Sequence, residues 1–342
     1  MTDAPPDPDW YLDHVIVPAG PEHLPIGPAR TWLAAWTARA RELATTGGPA
    51  VELAVRQGFV LTPAQARGAG LTDADIRRLI RRGEWSAARH GVLAVIPAAE
   101  ETRFALAATA AGLVHPGHVI SHRSAAVLQG LPLLARPAVP ELTGPDGSTF
   151  GRRYQVGIHR ATLRRNEVSA WFGMPVTTVG RAVVDVARGD RRAGLVAADA
   201  ALHERLITRG ELRQEADRCA GWPGARAARD VVALASPLAE SPLESLTRLC
   251  VLDAGLPAPQ LQVRITDPSD GWWCRVDLLW PEQRVVLEAD GRIKYTDGQL
   301  WREKRRQVRL ERLGYYVVRA IWSDVVHGPT ALLDHLRAVL AR

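Results

Sequence analysis

Between 73 and 82 the chain follows a helical pattern in which Ile76, Leu79 and Ile80 fall on one narrow stripe at about 100° per residue. Arg77, Arg78, Arg81 and Arg82 cover the opposite face. Thr72 is placed to cap this helix, Asp75 to close a capping box in place of glutamate, and Gly83 to end it. Shorter helical patterns over 51–57 and 63–68 precede it, and a hairpin-like stretch over 85–96 follows, turning at Arg89, His90 and Gly91. Three helices and a β-wing is the winged helix-turn-helix order. Before it, residues 1–50 hold a Pro/Asp-rich opening, an amphipathic segment with Trp32, Leu33 and Trp36, and a Gly47-Gly48-Pro49 joint. From 97 to about 235 the pattern mixes an alanine-rich helix near 101–113, strands around 139–143 and 154–159, and helices near 180–188 and 194–207, with no repeat and no site chemistry. From 236 it reads helix (242–253), strands (274–280 and 284–290), a long basic helix (about 298–313), a strand (315–321) and a last helix (about 329–341). The prediction is therefore a mixed α+β chain in four parts: an extension over 1–50, a winged helix over 51–96, a middle α+β segment over 97–235, and a small mixed-sheet domain over 236–342.

Composition narrows the class. With 342 residues, 46% hydrophobic and 23% charged, the chain is neither a disordered nor a collagen-like protein. Cys219, Cys250 and Cys274 lie far apart, which argues for a reducing compartment and against a cysteine-based zinc site. The opening lacks the basic flank and apolar run of a signal peptide, and the longest apolar run, 104–114, is too short for a bilayer. A soluble, cytoplasmic protein without a membrane partner is expected. The formal charge of +6 is compatible with nucleic acid but mild, so its distribution must decide. Four arginines on one short helix suit a phosphate-lined groove; the plain alternative is a solvated face. The basic turn at Arg89 favours the phosphate.

The stretch GFVLTPAQARGAGLTDADIRRLIRRGEWSAARHGVLAV resembles the winged-helix domain of AbiEi-type antitoxins, and the later VISHRSAAVLQGL and GMPVTTVGRAVVDVA resemble the segment that follows it in many members. The resemblance covers about 51–210. It implies a transcriptional autoregulator of an abortive-infection toxin–antitoxin pair, with duplex DNA as partner and a cognate toxin or a second copy of the chain as further partners. His115, His118 and His122 have spacings that raise a metal site, but Pro116 and Gly117 interrupt any shared helix and no carboxylate completes the set.

A second constellation lies near the end of the chain. Strand alternation puts Asp277 on the face of Arg275 and Leu279, and Glu288 and Asp290 on the face of Val286. With 281–284 as the hairpin loop, Trp280 faces Val285 and the same register sets Asp277 opposite Glu288, Cβ atoms roughly 5 Å apart. Two such carboxylates repel unless a cation or a proton lies between them. Oxygen ligands of this kind suit Mg²⁺ or Mn²⁺, which can orient a water and neutralise a phosphodiester. Glu244 in SPLESLTRL, Asp277 in RVDLLW, and Glu288 and Asp290 in VVLEADGRIKY resemble, in that order, the PD-(D/E)XK nuclease fold, closest to domains related to the very-short-patch repair endonuclease, over about 238–342. The resemblance implies metal at Asp277 and Glu288, with Glu244 supporting a water or second ion. It also shows a departure: Asp290 stands where the pattern has lysine, leaving Lys294 or Lys304 to supply that donor. Plainer readings are a capping-box role for Glu244 and a turn at Asp290-Gly291. Arg302, Lys304, Arg305, Arg306 and Arg309 on the basic helix form either a phosphate-facing surface or an ordinary exposed face. Two functions remain open: a DNA-binding, metal-dependent endonuclease, or a non-catalytic regulator carrying a degenerate nuclease domain.

Overall fold

A computed structural model describes residues 37–38, 40–43, 47–97, 99–135, 137–145, 151–153, 155–289 and 297–342. The described residues form a mixed α+β protein with three sheets. The chain divides into two compact units, one formed by 1–197 with 207–230, the other by 198–206 with 231–342. No described helix is long and apolar enough to cross a membrane.

The first unit begins with helix α1 (Pro49–Val55), strand β1 (Val60–Leu61), helices α2 (Pro63–Gly68) and α3 (Asp73–Arg81), and strands β2 (Ser86–Arg89) and β3 (Val92–Ala94). Local chemistry sets these boundaries. Thr62 and Thr72 each accept from the backbone N–H three residues on, and Gln65 and Asp75 return a bond to the capping residue, so both helices open on reciprocal caps. At the end of α3, Gly83 at φ +71° lets its own N–H reach the Ile80 carbonyl while that of Glu84 reaches Leu79. That pair of bonds satisfies carbonyls the helix would otherwise leave unpaired. The strands form an antiparallel sheet in the order β1-β3-β2, with Ala94 opposite both Val60 and Ser86.

Next come helix α4 (Glu100–Val114), strand β4 (Val119–Ile120), helix α5 (His122–Leu128), strands β5 (Glu141–Gly144), β6 (Gly151–Arg153), β7 (Val156–Arg160), β8 (Val168–Trp171) and β9 (Met174–Thr177), and helices α6 (Val179–Gly189), α7 (Arg191–His203), α8 (Arg209–Arg218) and α9 (Ala225–Leu234). The strands make a six-stranded sheet in the order β6-β7-β5-β4-β9-β8. Across the expected boundary at 96, helix α4 links this sheet to the preceding segment. Helix α4 is apolar around most of its circumference and packs on β1, β2 and β3 as well as on β4, β5 and β9. One hydrophobic core therefore runs from Ala40 through Phe59, Leu93 and Leu106 to Ile120 and Val176.

In the second unit, helix α10 (Pro242–Asp253), strands β10 (Gln260–Thr266), β11 (Trp273–Trp280) and β12 (Val285–Ala289), helix α11 (Asp297–Arg312), strand β13 (Tyr316–Ala320) and helices α12 (Trp322–Val326) and α13 (Thr330–Leu340) follow in order. The sheet order is β10-β11-β12-β13, antiparallel except for the parallel β12–β13 pair, which α11 connects. Trp280 pairs with Val285 as the four-residue loop requires. Ile265, Cys274, Val276, Leu279, Val286 and Leu310 form a core under α11.

Candidate functional site

Helix α3 turns Ile76 into the core, with Leu79 packed against it, while Arg77, Arg78, Arg81 and Arg82 are exposed. Ile80, expected on the apolar stripe, is instead 38% exposed, because the helix touches the core along a narrower line than its sequence offers. Arg78 pairs with Asp75 one turn back at 2.8 Å, and Arg82 approaches Glu84 at 3.8 Å. Arg77 and Arg81 make no ion pair among the described residues. Exposed pairs of this kind contribute little, so the face keeps its net positive charge for an anionic partner. Arg89, half-buried, closes β2 at the turn into β3.

The second constellation brings Glu244, Asp277 and Glu288 together. Glu244 sits in the first turn of α10, where its N–H donates to the capping Ser241 hydroxyl at 3.2 Å. Its carboxylate does not complete a capping box. Oε2 accepts instead from the Glu240 N–H at 3.0 Å and from Gln262 Nε2 at 2.7 Å, which aims it at β10. Asp277 Oδ2 accepts from the Ala289 N–H at 2.9 Å, just beyond the Leu278–Leu287 pair, so the register brings Asp277 level with Glu288. Burial raises the Asp277 carboxyl above its usual range against the Ala289 bond, the Arg306 charge and a hydrogen bond with Glu288. Burial also raises Glu244, and the Asp277 charge adds to it. Carboxyl groups this close favour a shared proton or a cation.

The cation present is an arginine. Arg306 of α11 places Nη2 2.9 Å from Glu288 Oε2 and donates through Nη1 to the Arg275 carbonyl at 2.9 Å. Arg309 is likewise engaged: it pairs with Asp267 at 2.6 Å and Asp270 at 2.5 Å, with its guanidinium 5.1 Å from the Trp272 ring. Of the basic-helix side chains, Arg306 thus answers Glu288 of β12, and Arg309 answers Asp267 and Asp270 of the loop between β10 and β11. Lys304 and Arg305 are exposed on the same helix. Arg302 lies within α11, but its side chain is outside the described residues, as are Asp290 and Lys294 altogether. Among the described residues no group of three or more His, Cys, Asp or Glu side chains is arranged to hold a metal ion. The oxygen donors of Asp277 and Glu288 still suit Mg²⁺ or Mn²⁺ chemically, with Arg306 as the competing charge.

The middle of the first unit holds buried polar chemistry that the sequence did not disclose. His122, at φ +52°, stacks on His159 with ring centroids 3.5 Å apart and an interplanar angle of 15°. Its Nδ1 lies 2.9 Å from the Ser121 hydroxyl and 3.8 Å from Asp185. Burial lowers His122 from 6.5 to about 4, outweighing the opposing Asp185 charge. Glu141, 3.8 Å from His159, takes two bonds from the Arg123 side chain at 2.8 and 3.1 Å. Burial pushes Glu141 up, but the nearby His159 imidazole and the Arg123 bonds hold it down at about 2. Arg181, 1% exposed, pairs with Glu167 and Asp185 beneath the Trp222 ring. His115 and His118 do not join this cluster: His115 turns to the Ala111 carbonyl and His118 towards that of Pro116.

Comparison with known proteins bears on the first of these regions. Residues 49–96 match the family model of the AbiEi antitoxin transcriptional regulators. The uncharacterized proteins MT2308 and Rv2248 of Mycobacterium tuberculosis, strains CDC 1551 and H37Rv, are each 34% identical over 173 residues, which is 50% of this chain. The chain spans 63% of the length of these curated relatives. Among solved structures, the crystal structure of the RV2827C protein from Mycobacterium tuberculosis matches with a TM-score of 0.34 at 17% identity, over 68% of this chain and 89% of that one. The likeness to AbiEi antitoxin regulators is thus carried by α1 through β3, the segment that presents the arginine face.

Proposed function

We propose that the protein is a duplex-DNA-binding regulator of the AbiEi antitoxin kind, in which 49–96 forms a winged helix and α3 enters the major groove. The observation that carries this reading is the exposed set Arg77, Arg78, Arg81 and Arg82, inside the segment that matches the AbiEi family. The five residue steps from Arg77 to Arg82 rise about 7.5 Å, so their guanidinium groups reach both walls of a groove roughly 12 Å wide. Arginine pairs bidentately with phosphates and with guanine edges, giving both affinity and readout. The hairpin turn at Arg89 supplies a wing contact to the backbone. A cognate toxin or a second copy of the chain is the further partner this reading implies. Anisotropy titrations of the full chain against labelled duplex DNA, with all four arginines replaced by alanine in the variant, test it. The parent should bind, and the folded variant should bind far more weakly.

The carboxylates of the second unit favour a second reading, a metal-dependent phosphodiester hydrolase of the PD-(D/E)XK kind. Asp277 and Glu288 would hold Mg²⁺ or Mn²⁺, and Glu244 would orient a water. The ion would supply Lewis-acid polarisation of a phosphoryl oxygen. Arg306 would have to release Glu288. Plasmid nicking by the pure protein with Mg²⁺ or Mn²⁺, lost in Asp277→Ala, supports this reading; no nicking with either ion leaves the non-catalytic regulator.

A further inference from the structure

We propose that the exposed face of β10 and β11 around Trp273 is a stacking site for an unpaired nucleobase of a nucleic-acid strand. The two strands alternate at this end of the sheet: Ile265 and Cys274 are buried, while Arg264, Thr266, Trp273 and Arg275 face outward. Thr266 pairs with Trp273 and Arg264 with Arg275, so these four side chains form one contiguous outer surface. Trp273 is 52% exposed, and the Arg264 guanidinium lies 4.2 Å from its ring centroid. A guanidinium on one side of an indole fixes the ring's orientation and leaves the opposite side for a second planar group. The neighbouring Trp272 shows the contrast, since it packs against the core beneath α11 and Arg309.

Charge selects the planar group. Arg275 is half-exposed, and its 2.7 Å pair with Glu240 is open to water on both sides. Such a pair is worth little and yields to a phosphate. A stacking ring flanked by two arginines is the combination that holds single strands, where bases stack on aromatics and the backbone follows positive charge. Asp277 lies two residues beyond Arg275 and four beyond Trp273 on the same strand, about 7 and 13 Å along it, so a nucleic-acid strand that continues past Arg275 would approach the carboxylates. The site belongs to the second unit and does not depend on DNA contact by α3.

The test uses the full chain and labelled oligo(dT) and oligo(rU), read by anisotropy; the two arms separate DNA from RNA. Trp273→Ala should weaken binding to the preferred oligonucleotide by about tenfold or more, in line with loss of one stacked base. Trp273→Phe should keep most of the affinity. The salt slope of Trp273→Ala should match the parent, because no phosphate contact is removed, whereas Arg275→Ala should lower it. A 5-iododeoxyuridine oligonucleotide should cross-link to Trp273. The inference is overturned if the parent binds neither oligonucleotide, if Trp273→Ala binds as the parent does at an unchanged melting temperature, or if single-strand affinity falls with the four α3 arginines instead. Duplex affinity of Trp273→Ala should stay at the parent level, so failure here leaves the α3 reading standing.

Discussion

His122 couples local geometry to pH. Its imidazole has a folded pKa of about 4, below the ordinary 6.5, because burial disfavours its charge. A depressed histidine contributes stability that is complete above 6.5 and is lost as pH falls towards 4. Glu141, held at about 2, adds stability that is present above 4.5 and lost as pH falls through 2. Both act in the same direction, so acid unfolding of the first unit should begin below about pH 6.5. His122→Asn keeps a residue tolerant of the positive φ and removes the titration. Urea midpoints against pH should flatten between 6.5 and 4 in that variant, the parent losing roughly 2–3 kcal/mol over the same window. An unchanged pH profile would show that the stack does not govern the acid limb. The stack was not legible in the chain, because His159 lies 37 residues beyond His122 and the spacing of His122 with His115 and His118 pointed to different partners.

The carboxylates of the second unit should behave unequally. Burial raises Asp277, so its charge works against folding as pH rises above the usual carboxylate range. Asp277→Asn keeps an acceptor for the Ala289 N–H and should leave stability at pH 7 unchanged or raised. Glu288→Gln deprives the half-buried Arg306 of its anion and should cost about 1–3 kcal/mol. Denaturant midpoints for the two variants, measured side by side, check the asymmetry; equal losses would contradict it. The opposition of Asp277 and Glu288 was readable because a four-residue loop fixes the register of its hairpin. The partner of Glu288 was not, since Arg306 arrives from a helix beyond the loop.

Among elements, α3 was the most fully written in the sequence. Its caps, its glycine stop and its arginine face all come from neighbours within a few residues. Thr72→Ala should therefore cost about 1 kcal/mol and loosen the helix that presents the arginines. A calorimetric scan with no loss of melting temperature would remove the cap from the account. Strand β10 was missed although Leu261, Val263 and Ile265 alternate, because Pro257 and Pro259 just before it read as loop. Strands β4, β8 and β9 span two to four residues, too few for a period to show. Helix α4 was placed correctly, but its role was not: an alanine-rich helix has no marked apolar stripe, so its contact with two sheets emerges only from tertiary packing.

That packing decides the behaviour of the whole molecule. Because one core joins 49–96 to the six-stranded sheet, a fragment ending at 97 would expose the surfaces that α4 covers. It should lack a cooperative melting transition, while a fragment ending at 230 should show one. The DNA reading is sharper still in its electrostatics. Plotting the logarithm of the duplex association constant against the logarithm of salt concentration measures how many phosphates the protein neutralises, at roughly 0.9 per contact. For the full chain the slope should be steep, and replacing Arg77, Arg78, Arg81 and Arg82 with alanine should make it shallower by about 3 to 4. A folded variant with the slope and affinity of the parent would contradict the claim that this helix is the DNA-binding surface.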